Sequence, residues 1–269
     1  TLTGTSSADE LTGLSGDDNI DGLGGNDTLD GGDGDDEIQG GDGDDTIKGE
    51  AGDDTLYGGG GNDIIYGGHG IDTIYGGDGD DNLRVGTTQN SDSGTGTQVI
   101  DAGDGDDYVY GYVDQKVLLG DGDDDFDGAF RYLDAGSGDD TIRVRVNGYD
   151  GWQQNASRID FLDGGAGYDI LNISSSYGST DYGSSSLEDV IINFEEIRLP
   201  GDPLSSGWTL GSQAAGSGET LVIDASVNNP YSTNFAYVGA ANITYKGSDR
   251  ELAGNETVIL GSGNDTVTL

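Results

Sequence analysis

Over the first third of the chain an aliphatic residue recurs at every ninth position: Leu11, Ile20, Leu29, Ile38, Ile47, Leu56, Ile65, Ile74 and Leu83. Most sit between polar neighbours, as in "DEIQ" (36–39) and "DTIK" (45–48). A period of nine is neither helical nor that of a long strand. The local alternation within each unit does predict a short strand, because alternate residues of a strand face the same way. Two residues before every aliphatic stands an aspartate: Asp9, Asp18, Asp27, Asp36, Asp45, Asp54, Asp63, Asp72 and Asp81. The carboxylate and the aliphatic side chain are therefore expected to share the inward face. The residues between and after them face solvent, and Thr28, Thr46, Thr55 and Thr73 are apt choices for an exposed strand surface.

Glycine supplies the other half of the period. Counting from Gly4, nine consecutive nonamers end at Arg84; position 1 is glycine in all of them, and position 4 in all but the first, where Ser7 stands. Fixed positions repeated at constant spacing identify a repeat architecture, in which each unit buries its apolar face only by stacking on its neighbours. Position 2 departs from glycine at Leu14, Leu23 and Glu50, where either weaker metal binding or an altered backbone is expected.

Composition sharpens the reading. The 269 residues include 52 acidic and 10 basic side chains, for a formal net charge of -42. Nucleic acid and anionic membrane surfaces are thereby excluded as expected partners. Such acidity would ordinarily indicate disorder, but the 52 glycines are regularly placed rather than scattered. Without cysteine there is no disulfide framework or thiolate metal site, and no apolar run suits membrane insertion. Methionine is absent even at position 1, so the chain is expected to be a processed or excised piece of something larger.

The pattern G-G-x-G-x-D-x-U-x resembles the repeats-in-toxin (RTX) family, whose nonapeptide is a known calcium-binding repeat. The resemblance is dense over residues 4–84 and returns at "AGDGDDYVY" (102–110), "LGDGDDDFD" (119–127), "AGSGDDTIR" (135–143), "GGAGYDILN" (164–172) and "LGSGNDTVT" (260–268). It implies an all-β fold: a right-handed parallel β-roll, or β-solenoid, with two units per coil and calcium between stacked turns. It also implies that multiple Ca2+ ions are held by the position-6 aspartates of units n and n+2. These are Asp9, Asp27, Asp45, Asp63 and Asp81 along one edge, and Asp18, Asp36, Asp54 and Asp72 along the other, followed by Asp107, Asp124, Asp140, Asp169 and Asp265. Calcium takes six to eight oxygens, carboxylate or carbonyl, so two stacked turns supply what one cannot. The neighbouring position 5 (Asp17, Asp35, Asp44, Asp53) varies in type and reads as general negative field.

One small aliphatic side chain per nonamer makes a thin core for a glycine-rich chain with large conformational entropy, and carboxylate repulsion works against it. Calcium binding is therefore expected to be part of folding itself. The metal-free chain should be largely disordered, ordering cooperatively at calcium on the order of millimolar.

Three stretches are expected: a regular calcium roll over 1–84, a roll with insertions and metal turns mainly on one edge over 85–172, and an irregular solenoid continuation over 173–269. Residues 85–99 read as an excursion loop, and "GYVDQKV" and "GAFRY" as arms replacing metal turns. "DVIINFEEIRL", "ETLVIDASV", "NITYKG" and "ETVILGSG" read as further coils without calcium. The chain stops in phase with another repeat, and the array is expected to continue.

Other candidates carry less. Tyr57 and Tyr75 should stack on one outer face with Tyr66 opposite, as a surface ladder. Tyr149, Trp152 and Gln153 form the better carbohydrate candidate. His69, the single histidine, lies at a variable turn position and would serve a Ser-His-Asp triad only if a serine reached that edge, and no H-E-x-x-H is present. Glu195 and Glu196 are adjacent on a strand and so point apart, against a glycosidase pair. No enzyme is expected. The resemblance implies a calcium-dependent structural section of an extracellular surface-layer or adhesin protein, exported by type I secretion from a Gram-negative bacterium. Its partners would be calcium, with copies of itself and surface polysaccharide as further candidates. The alternatives are the folding module of a secreted enzyme and a carbohydrate-binding module.

Overall fold

The computed structural model describes residues 1–86, 98–111, 116–147, 159–176, 186–187 and 191–198, and the backbone strands at 208–210, 220–224, 234–237, 242–246, 257–259 and 266–268. Among the described residues the regular structure is entirely strand, with no helix long and apolar enough to cross a membrane. The chain divides into two compact units, Thr1–Ala135 and Gly136–Leu269.

In the first unit, strands alternate between two parallel sheets. One contains Leu2–Thr3, Asn19–Asp21, Glu37–Asp42, Thr55–Gly60, Thr73–Asp78, Val99–Asp104 and Lys116–Asp121; the other contains Glu10–Ser15, Thr28–Asp33, Thr46–Ala51, Ile64–His69, Asn82–Val85, Tyr108–Gly111 and Asp125–Gly128. Each strand hydrogen-bonds the second strand along the chain, never the next. Leu29 lies beside Ile47 and Ile47 beside Ile65 in one sheet, while Ile38, Leu56 and Ile74 line up in the other. Two nonamers therefore make one coil of a β-solenoid, as the resemblance implied. The aliphatics from Ile20 to Leu83 are fully buried between the sheets. Leu11, at the start of the stack, is only half-buried.

Core register survives when the coil length changes. Leu83 pairs with Val109 and Val109 with Phe126, although the steps from Asp81 to Asp107 and on to Asp124 are 26 and 17 residues. The paired residues on either side keep their register, Val99 beside Thr73 and Ile100 beside Ile74. Within "GAFRY" the fully buried Phe130 meets Phe126 edge-on, with ring centroids 5.4 Å apart. An aromatic side chain thus fills interior space at a turn without the glycine-aspartate pattern.

The second unit keeps the parallel habit. Thr141–Asn147, Ile170–Ser176, Glu196–Arg198, Thr220–Asp224, Asn242–Lys246 and Thr266–Thr268 stack in one sheet. Phe161–Asp163 pairs with Ile191–Ile192, and a separate sheet holds Ser186–Leu187, Trp208–Leu210, Asn234–Tyr237 and Thr257–Ile259. The strands anticipated in "ETLVIDASV", "NITYKG" and "ETVILGSG" are present. On the outer surface, Tyr57 and Tyr75 stack at 4.9 Å and nearly parallel, while the Arg84 guanidinium lies 5.7 Å over the ring of Tyr66 in the opposite sheet.

Candidate metal turns

The turns between the sheets bring the position-6 aspartates into two columns. The backbone N–H of Asp9 donates to Oδ1 of Asp27, and Asp27 to Asp45, Asp45 to Asp63, Asp63 to Asp81, Asp81 to Asp107 and Asp107 to Asp124, all at 2.7–2.8 Å. The other edge links Asp18, Asp36, Asp54 and Asp72 in the same sense at 2.7–3.2 Å. In the second unit the N–H of Asp140 donates to Asp169 at 3.0 Å. From Asp27 onward these side chains are at most 3% exposed.

Each carboxylate has a second oxygen, and its situation defines the site. Oδ2 of Asp27, Asp36, Asp45, Asp54, Asp63, Asp81, Asp107 and Asp169 is buried and accepts no hydrogen bond. In unit 40–48, Oδ2 of Asp45 lies against the Cα of Gly40. A methyl group on Gly40 would strike that oxygen and come within 2.5 Å of the Gly58 carbonyl oxygen, which belongs to the coil above. One carboxylate oxygen and one carbonyl oxygen from successive coils therefore meet at the position-1 glycines from Gly4 to Gly58 and at Gly76. The carbonyls of Gly34, Gly43, Gly52 and Gly61, at position 4, face the matching glycine one coil on. Among the described residues no three acidic or histidine side chains converge, so each turn offers one carboxylate among backbone carbonyls. That oxygen-only donor set suits a hard cation such as calcium.

A buried, unpartnered carboxylate is costly, and it escapes the cost either by taking a proton or by meeting a cation. Burial, reinforced by neighbouring carboxylates, pushes Asp54, Asp63, Asp81, Asp107 and Asp169 up to about 7 and raises Asp36 and Asp45. The backbone N–H bond to Oδ1 opposes the shift without cancelling it. These groups need positive charge that 10 basic residues in the chain do not supply.

Position 5 does more than sequence reasoning assigned to it. Oδ1 of Asp17 accepts the N–H of Asp35, Asp35 that of Asp53, and Asp53 that of Ile71, at 2.8–3.1 Å. On the other edge the series runs from Asn26 to Asp44, Asn62, Asp80, Asp106 and Asp123. This ladder runs opposite to that of position 6. The ladder itself uses only one side-chain oxygen, so asparagine serves in it as well as aspartate. At position 6 an amide would put an NH2 where the second oxygen sits, and asparagine never appears there in 4–84. The Asp/Asn mixture at position 5 was the available signal.

Leu14, Leu23 and Glu50 hold the glycine-like backbone, with φ of 86°, 72° and 73°. The turn shape wins over side-chain preference at all three, although beside Leu23 the strand Asn19–Asp21 is only three residues long where the regular strands have six. The sequence also concealed Glu195. Its carboxylate accepts the N–H of Asp169 at 2.8 Å, so it takes the place of a position-6 aspartate, while the preceding Phe194 is fully buried. Glu196 points elsewhere, bonding Arg198 at 2.8 Å and the Tyr168 hydroxyl at 3.3 Å. Asp265, Tyr149, Trp152 and Gln153 lie outside the described residues.

Comparison with known families finds the repeat described as RTX calcium-binding nonapeptide repeat (4 copies) at residues 3–38, 30–65, 39–74, 57–88, 157–172 and 252–268. No curated protein and no solved structure matches the chain.

Proposed function

The chain carries an array of RTX calcium-binding nonapeptide repeats over residues 3–88, with returns at 157–172 and 252–268, and from that premise we propose that it is a calcium-dependent structural section of a secreted bacterial surface protein, a surface layer or a large adhesin. RTX repeats mark a calcium-binding structural role in secreted bacterial proteins. The observation that carries the proposal is the row of buried Oδ2 atoms without hydrogen bonds among the described residues, those of Asp27, Asp36, Asp45, Asp54, Asp63 and Asp81 each lying beside a carbonyl of the next coil.

Calcium, when bound, supplies the positive charge these oxygens require. Asp9, Asp27, Asp45, Asp63 and Asp81 would hold it on one edge and Asp18, Asp36, Asp54 and Asp72 on the other. Asp107, Asp124, Asp140, Asp169 and Asp265 would extend the set. The chain's own contribution is to fix Oδ1 of each carboxylate on a backbone N–H, leaving Oδ2 aimed inward. A solenoid of this kind stays pliable where calcium is scarce and stiffens where it is plentiful, which suits export before folding. Type I secretion and an extracellular location belong to the same proposal.

Circular dichroism in chelator and in millimolar calcium tests the reading. A β signal that appears only with calcium is expected; an unchanged signal in excess chelator overturns it. Whether the parent is a surface protein or a secreted enzyme is decided by its neighbouring sequence, where a catalytic domain would favour the enzyme.

A further inference from the structure

On the edge formed by Asp18, Asp36, Asp54 and Asp72, the residue one coil beyond Asp72 is Gln98. Its backbone stands where the next aspartate would. The N–H of Val99 donates to the Asp72 carbonyl at 3.2 Å, and the N–H of Lys116 donates to the Gln98 carbonyl at 2.9 Å. In the regular coils the same bonds run from Thr46 to Asp27 and from Thr55 to Asp36. Gln98 is 7% exposed, and its side-chain Nε2 donates to the carbonyl oxygen of Gly70 at 2.9 Å. Gly70 is position 4 of the Asp72 unit, the counterpart of Gly34 and Gly52, whose carbonyls face the turn of the coil above.

We propose that Gln98 closes the metal column of this edge, its amide group giving the Gly70 carbonyl the positive partner that a cation gives in the turns below. The inference rests on the calcium reading of those turns. A neutral amide provides an N–H donor without needing a metal, and it brings no second anionic oxygen that would demand one. The position-5 ladder stops at the same rung: Ile71 donates its N–H to Oδ1 of Asp53 at 2.8 Å and carries no side-chain oxygen to continue the series. The position-5 series therefore ends at the rung directly below Gln98. The opposite edge continues through Asp107 and Asp124 without such an exchange.

The test is a count of calcium ions per chain by native mass spectrometry, on the whole chain with Gln98 intact and as Gln98→Glu. The substitution keeps the shape and replaces the N–H donor by an anionic oxygen facing the Gly70 carbonyl. One additional calcium is expected, with a thermal midpoint that falls more steeply than that of the parent as calcium is withdrawn. A purely structural hydrogen bond predicts a lower midpoint at every calcium concentration and an unchanged count, which overturns the proposal. Gln98→Asp, bearing the residue of the rungs below, is the second variant and is expected to gain the same ion. Failure of both variants to fold at saturating calcium also overturns it. A parent chain that takes up no calcium overturns the reading of the turns themselves, whereas uptake by the parent with no gain in either variant overturns the role of Gln98 alone.

Discussion

The backbone N–H of Asp45 donates to Oδ1 of Asp63 at 2.8 Å, one coil further on. Immediately beside it, Asp44 accepts the N–H of Asn62 at 2.9 Å. The Asp45 carboxylate itself accepts the N–H of Asp27, so the carboxylates of these adjacent residues are engaged in opposite senses, Asp45 reaching back to the coil before and Asp44 forward to the coil after. Only the first keeps a buried oxygen in reserve.

This difference predicts opposite outcomes for two neighbouring isosteric substitutions. Asp54→Asn removes a buried charge at position 6 and should lower the calcium count while raising the calcium midpoint for folding about ten- to a hundredfold, the equivalent of about 1.5–3 kcal/mol for a bond to a charged group. Asp53→Asn keeps the one oxygen its ladder uses. It should change stability by no more than about 0.5 kcal/mol and leave the count unaltered. Calcium titration followed by circular dichroism reads both.

Gly40→Ala places a methyl group against Oδ2 of Asp45 and the Gly58 carbonyl. A destabilisation of about 1–3 kcal/mol from overpacking is expected, together with loss of calcium from that turn. Equal calcium counts in the variant and the parent would show that the glycine does not shape a metal site.

Acidity should act oppositely on the metal-free and calcium-loaded chains. In the metal-free fold Asp54, Asp63, Asp81, Asp107 and Asp169 rise to about 7 from an ordinary 3.8. The folded state therefore holds protons that the unfolded chain has already released. Its stability contribution is complete below the ordinary value and is lost as pH climbs towards 7. Metal-stripped protein should show more β structure near pH 4 than at pH 8. Calcium needs the deprotonated carboxylates, so its midpoint should be higher at pH 6 than at pH 8.

Leu14→Gly and Leu23→Gly relieve a left-handed backbone at exposed side chains. Each should stabilise the calcium-loaded fold by about 1 kcal/mol, seen as a raised thermal midpoint. A lowered midpoint would mean that the leucines make contacts that outweigh their backbone strain.

Much of this molecule could be read from spacing alone. The columns from Asp9 to Asp81 and from Asp18 to Asp72, and the aliphatic interior from Ile20 to Leu83, follow from a nonamer that alternates strand and turn. Glu195 was hidden because no glycines precede it; its role emerges only when Asp169 and the strand Glu196–Arg198 are brought into register. Gln98 was hidden for a related reason. Its significance lies in the coil below it, twenty-eight residues back at Gly70, and such a relation leaves no local pattern. The position-5 ladder was visible as an interchange of Asp and Asn, but exposure made it look like mere charge.

Two nonamers to a coil give the array a parity. Removing one unit, say 49–57, would set Asp63 above Asp36 and send every later turn to the opposite side of the solenoid. The regular coils would tolerate this, since both sides are built alike. The longer coils would not, because their two sides have ceased to be equivalent. Ancestral growth and loss upstream of residue 86 should accordingly have proceeded by whole coils, changing the tally of units two at a time.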